Sequence, residues 1–132
     1  MRRSAAAALG LLAFSAAHAQ VINPAVTQAN IDQTICNPDW TAATRPHWTY
    51  TSRLKREQMH AAGLPGELSD YQEDHIIPLG LGGHPADPRN LLPQPWPEAE
   101  RKDEDEFRLH QLVCRHRMSL DEAQRAMAAW RP

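Results

Sequence analysis

Long hydrophobic runs are scarce in this sequence, and the one notable run lies at its start. Residues 5–17 are mostly apolar, follow Arg2 and Arg3, and lead into small residues up to Ala19. The run is shorter than the roughly 20 residues that a membrane-spanning helix needs. This order is typical of a signal peptide cleaved after Ala19. We therefore expect an exported protein, periplasmic or secreted, that does not contact the membrane after processing; a retained N-terminal anchor is the alternative.

Cysteine is also scarce, because the chain has only Cys36 and Cys114. Their separation excludes a Cys-x-x-Cys zinc ribbon. An even number of cysteines in an exported protein favours a disulfide, with two buried thiols as the alternative. Closing a loop of this length would stabilise the fold by about 4.5 kcal/mol in the chain-entropy model.

Positive charge is in short supply as well. Without residues 1–19 the chain keeps 113 residues, with 12 Lys and Arg against 16 Asp and Glu. That length suits one domain, and we expect a monomer. Nucleic-acid binders usually carry a net basic face, so a polyanionic partner would need a local patch. The best candidate patch for phosphates consists of Arg45, Arg53, Lys55 and Arg56, although a solvated helix face would have the same composition.

The distribution of proline divides the mature chain. Nine of the eleven prolines lie between Pro38 and Pro97, so the middle should be rich in loops. Residues 20–50 are predicted to form an extended N-terminal segment, with one helical turn near residues 27–34. Residues 51–132 are predicted to form the domain.

Three helices are predicted in that domain. The first covers residues 52–62, with Thr51 or Ser52 as its N-cap and Gly63 as its stop. Its buried side chains would be Leu54, Met59 and Ala62. The second runs from near Glu98 to about Cys114, with a solvated charged face over residues 98–106; its inward residues would be Phe107, Leu109, Leu112 and Val113. The third follows the Ser119–Glu122 capping box, with a core face of Leu120, Ala123, Met127 and Trp130.

Between the first two helices lies the most informative stretch. Residues 71–79 are predicted to form a strand that carries Asp74 and His75, and the Gly82-Gly83 pair marks a turn. Residues 90–92 would form the returning strand. The order is therefore strand, glycine turn, strand and charged helix.

The string DHIIPLGLGG, followed by NLLP and by a helix containing Lys102-Asp103, resembles the ββα-metal motif of HNH endonucleases over residues 73–106. The early VTQANIDQTIC and the late LDEAQRAMAAW are similar to segments of small exported bacterial proteins that carry this motif. The resemblance implies an α+β fold, in which a small and mostly helical domain surrounds a hairpin-helix core.

The resemblance also implies a reaction, the hydrolysis of phosphodiester bonds in DNA or RNA. Asp74 would bind a divalent cation, Mg²⁺ or Mn²⁺, and His75 would be the general base. A histidine suits that role because its unperturbed pKa of about 6.5 leaves it largely neutral near pH 7. Asn90 would be a structural amide that steadies the histidine.

One motif position departs from the family. Most relatives carry His or Asn early in the helix, and this chain has neither between Gln94 and Arg108. Asp103 is the preferred substitute as metal ligand, with Glu98 second. His84, beside the glycine turn, is either a solvated loop residue or a substrate contact. Because the third ligand is altered, a non-catalytic exported binding module on the same scaffold is the alternative function.

Overall fold

The computed structural model describes residues 21–132, so the predicted signal peptide lies outside the described part of the chain. In that part, four helices and a two-stranded antiparallel sheet confirm the α+β class. The elements are α1 (Trp40–Thr44), α2 (Trp48–Ala62), β1 (Tyr71–His75), β2 (Leu91–Pro95), α3 (Trp96–Cys114) and α4 (Leu120–Ala128). No helix within residues 21–132 has the length and apolar character needed to cross a membrane.

The segment before α2 coils instead of extending. It contains a 3-10 turn at Gln28–Asn30 and the short helix α1. Val26, Ile31 and Ile35 are buried in the same cluster as residues of α3 and α4. The segment is therefore part of the core, because burying these three apolar side chains requires it to fold back on the helices.

Helix α2 begins at Trp48, earlier than the predicted start at Ser52, and its N-cap is His47, whose side chain accepts from the Thr49 amide. Gly63 ends it as predicted, in the left-handed conformation with φ of 61°. Leu54 and Met59 are buried, but Ala62 is exposed, so its predicted place in the core is wrong.

The hairpin of β1 and β2 pairs Tyr71 with Pro95 and His75 with Leu91. Strand β1 stops at His75, short of the predicted end, and the chain enters a 3-10 turn at Leu79–Leu81. The prolines of β2 are tolerated because both strands of a two-stranded sheet are edges.

Helix α3 packs its Leu109 and Val113 into the core, as predicted. Two other predictions about it are wrong: Phe107 is 67% exposed, and Lys102, placed on the solvated face, is only 3% exposed. Helix α4 confirms its capping box at Ser119 and Glu122. Its core face is as predicted for three of the four residues, Leu120, Ala123 and Met127, while Trp130 is half-buried against the core.

The disulfide prediction is confirmed, because Cys36 and Cys114 are joined with their Cα atoms 5.6 Å apart. The bond connects the coiled N-terminal segment to the last residue of α3. It therefore closes a loop that contains α1, α2, the hairpin and most of α3.

Candidate active site

A small cavity of about 150 Å³ lies where the end of β1 meets α3 and the end of α1. Its charged and ionisable lining residues are Arg45, Asp74, His75, Asp103 and Glu106. Three carboxylates, an imidazole and a guanidinium therefore converge on a space that holds a few water molecules. Asp74 and His75 are themselves 6% and 7% exposed.

The orientation of His75 follows from its hydrogen bond. Its Nε2 lies 2.9 Å from the carbonyl oxygen of Pro85. A carbonyl can only accept, so Nε2 donates and Nδ1 is the unprotonated nitrogen of the neutral ring. Within residues 21–132, Nδ1 makes no hydrogen bond. Burial lowers the pKa of His75, against the opposing effect of the Pro85 carbonyl, so the ring is neutral near pH 7.

Asn90 holds the loop that supplies this carbonyl. Its Oδ1 accepts from the Ile77 amide at 2.9 Å, and its Nδ2 donates to the carbonyls of Ile77 and His84, both at 3.0 Å. Asn90 is fully buried. A Cβ on Gly83 would lie 1.7 Å from the Ile77 carbonyl oxygen, so the close approach requires glycine. Asn90 acts on His75 through the backbone of this loop.

Lys102 is the residue that sequence reasoning missed. Its Nζ donates to Asp74 Oδ2 at 2.9 Å, to the His75 carbonyl at 2.6 Å and to Glu106 Oε1 at 2.5 Å. Although burial lowers the pKa of Lys102, the carboxylates of Glu106 and Asp74 raise it above its usual value. The ammonium therefore stays charged and ties α3 to the end of β1.

A signal for this burial is present in the sequence. The buried residues of α3 are Ala99, Lys102, Leu109 and Val113. They recur at helical spacing, so Lys102 continues the apolar face toward the N-terminus of the helix. Its i,i+4 partner Glu106 lies on the same face.

The surroundings of the other two carboxyl groups, Glu106 and Asp103, disfavour the ionised form. Burial raises the pKa of Glu106 to about 7, against the opposing charge of Lys102. Partial burial raises the pKa of Asp103 as well, and the Asp74 carboxylate adds to that shift. Because a bound cation favours ionised carboxylates, positive charge in this cavity would stabilise the cluster.

These residues fit a hard divalent cation. Lys102 occupies Oδ2 of Asp74, whereas Oδ1 makes no hydrogen bond with any residue from 21 to 132. Asp103 and Glu106 bring further carboxylate oxygens to the same cavity, and Mg²⁺ and Mn²⁺ prefer oxygen ligands. Glu98, the second choice from the sequence, does not line the cavity; its Oε2 accepts from Gln94 at 2.5 Å.

The predicted phosphate contacts separate in space. Arg45 lines the cavity. Lys55 does not, because its Nζ donates to the carbonyls of Leu68 at 2.7 Å and Tyr71 at 2.8 Å. That lysine fastens α2 to the start of β1, so its proposed role with phosphate is not supported.

The three remaining candidates also lie apart from the cavity lining. Arg53 pairs with Glu57 on the exposed side of α2. Arg56 is exposed on α2. His84 is half-buried, and its Nδ1 accepts from the amides of Ala86 at 3.2 Å and Asp87 at 3.0 Å. The imidazole of His84 therefore closes a turn in the loop that carries Pro85.

A second group of potential metal ligands surrounds the disulfide. One ligand atom each of Cys36, His110 and Cys114 lies within 4.8 Å of the others. The two sulfurs are bonded to each other, and His110 Nε2 donates to the Ile35 carbonyl at 2.9 Å. While the disulfide is intact, this group is structural.

Known proteins do not identify the chain. Comparison with family models, with curated proteins and with solved structures found no match.

Proposed function

We propose that this protein is an exported, metal-dependent endonuclease of the HNH type that hydrolyses phosphodiester bonds in DNA or RNA. One observation carries the proposal: His75 donates through Nε2 to Pro85 and keeps Nδ1 as a free base beside Asp74. The chain order of β1, β2 and α3 supports it, since it agrees with the motif that residues 73–106 resemble.

In this proposal His75 removes a proton from the attacking water through Nδ1. Its ring is held in one orientation by Pro85, and its lowered pKa keeps it neutral at physiological pH. The hydrogen bonds of Asn90 hold the loop of Pro85, and with it the orientation of His75, while Nδ1 accepts the proton. General base catalysis of this kind contributes about 10²–10⁴-fold to a rate.

Asp74 and Asp103 would hold the cation, with Glu106 as a third oxygen donor. The bound cation would supply stabilisation of the negative charge that develops on the phosphate and the leaving oxygen. Arg45 is the residue of this cavity that can bind a non-bridging phosphate oxygen, because a guanidinium matches phosphate geometry. Lys102 is a positioning residue: it fixes Asp74 and the backbone of His75.

The test is cleavage of supercoiled plasmid and of single-stranded RNA by the oxidised protein, with EDTA, Mg²⁺ or Mn²⁺. We expect metal-dependent cleavage that falls at least about 100-fold in His75→Ala. His60→Ala is the matched control, because His60 is exposed on α2 and does not line the cavity. Folded protein that cleaves neither substrate with any metal would refute the nuclease proposal.

A non-catalytic binding module is the second candidate, and one contact favours it. Lys102 already pairs with both Asp74 and Glu106, and its single positive charge offsets part of their negative charge, so the cavity keeps less negative charge for a cation. This candidate predicts a protein that does not bind Mn²⁺ and that has no hydrolytic activity. Isothermal titration with Mn²⁺, run on the protein and on Asp103→Asn, separates it from the nuclease.

A further inference from the structure

The small cavity opens into a larger groove of about 530 Å³. Both are lined by Pro78, Gly80, Asp103 and Glu106, so they form one continuous surface. Beyond the shared residues the groove is mainly apolar. Its apolar lining includes Ile35, Pro38, Leu81 and Phe107.

Phe107 is the exposed aromatic side chain of this groove. It follows Glu106 on α3, and 67% of its surface is accessible. An apolar ring left in water beside a candidate catalytic cavity gains free energy by stacking on a planar ligand. We define the Phe107 groove by Ile35, Pro38, Leu81 and Phe107.

The lining of the two cavities carries three carboxylates and little positive charge, which suits a duplex less well than an unpaired strand. Among the residues described as lining the two cavities, Arg45 is the only lysine or arginine. Duplex binding depends on many phosphate contacts from basic side chains. A single strand needs fewer, because each unpaired base can stack on an aromatic ring for about 1–3 kcal/mol. Bases within a duplex are stacked on each other and do not offer a free face.

We propose that the Phe107 groove binds an unpaired base of a single-stranded nucleic acid whose neighbouring phosphodiester lies at His75. This inference rests on the proposed function and adds the substrate class. The base packs against Phe107 and Pro38, and the phosphate on its sugar reaches Arg45. Single-stranded substrates are therefore preferred over duplexes of the same sequence.

The experiment measures binding separately from cleavage. Fluorescence anisotropy of a labelled oligothymidine and of a labelled hairpin duplex is recorded with the His75→Ala protein, which cannot turn over the probe. In the His75→Ala background, the further change Phe107→Ala should weaken single-strand binding by about 5- to 150-fold, which corresponds to the free energy of stacking one base. Phe107→Trp should retain it. Duplex binding should change little.

Trp48→Ala is the matched control, since Trp48 is 69% exposed and lies outside both cavities. Far-ultraviolet circular dichroism checks that each variant is folded. Equal single-strand affinity with and without Phe107, or no single-strand binding at all, would overturn the inference. So would a dimer that Phe107→Ala dissociates without changing single-strand affinity.

Failure of this inference is distinguishable from failure of the proposed function. Cleavage of single-stranded RNA that requires His75 but is indifferent to Phe107 supports the nuclease proposal and overturns the groove inference. If single-strand binding depends on Phe107 but the wild-type protein cleaves neither substrate, the groove inference is supported and the nuclease proposal is refuted.

Discussion

Replacing Lys102 with methionine would remove the ammonium group that Asp74, Glu106 and the His75 carbonyl share. Methionine keeps most of the side-chain volume, so the change removes charge and hydrogen bonds while leaving little cavity. Three acceptors lose their donor at once, and two of them are carboxylates. The variant therefore isolates the electrostatic role of Lys102.

The magnitude follows from burial. The Lys102 side chain is 4% exposed, and its partners Asp74 and Glu106 are 8% and 20% exposed. Removing one member of a buried ion pair costs about 3–5 kcal/mol, because the remaining charge is uncompensated. A domain of this size is stable by about 5–15 kcal/mol, so the loss is a large share of its stability.

Guanidinium denaturation followed by circular dichroism at pH 8 measures this loss directly. Arg101→Met is the matched control, because Arg101 is the exposed neighbour on α3 and should change stability by less than about 0.5 kcal/mol. Repeating the experiment at pH 5 should shrink the cost of Lys102→Met, since protonation removes the uncompensated charge of Glu106. A cost at pH 8 no larger than that of Arg101→Met would refute the buried ion-pair network.

Two further predictions concern stability. Burial raises the pKa of Glu73 and of Glu106 from 4.5 to about 7, so between these pH values the folded state binds more protons than the unfolded state at these two positions. The stability that the two carboxyls contribute is fully present below pH 4.5 and is lost as pH rises through 7. Glu73→Gln and Glu106→Gln should each flatten this decline in denaturation curves between pH 4.5 and 7, whereas exposed Glu104→Gln should leave it intact, and an unchanged slope in both buried variants would contradict the shifts. Cys36→Ser with Cys114→Ser should lower the free energy of unfolding by about 2–5 kcal/mol and remove the effect of dithiothreitol on stability; a stability equal to that of the oxidised protein would contradict a stabilising disulfide.

Local rules predicted the parts of the fold that depend on neighbours in sequence. The α4 cap at Ser119 and Glu122 and the end of α2 at Gly63 follow from backbone chemistry within one turn. The start of α2 did not follow, because residues 48–51 have no strong start signal and His47 provides the cap.

The sequence was enough to predict the central pair of the candidate site, Asp74 and His75, but not which residues surround that pair. Asp74 and His75 are adjacent in sequence, so one strand end carries both. Asp103 lines the cavity and Glu98 does not, because the turn of α3 that faces β1 depends on packing. Lys55 has the composition of a phosphate contact, yet it binds backbone carbonyls.

The sequence by itself determined the α4 cap at Ser119, the end of α2 at Gly63, the cysteine pair and the adjacency of Asp74 and His75, since each depends on short-range chemistry or on the count of a residue type. Only the tertiary structure decided that Lys102 is buried and that Phe107 is exposed. Both reverse the usual preferences of their residue types. The reason is that both positions depend on partners far away in sequence: Leu109 and Val113 pack one face of α3 into the core, and Lys102 on that side meets the Asp74 carboxylate 28 residues away.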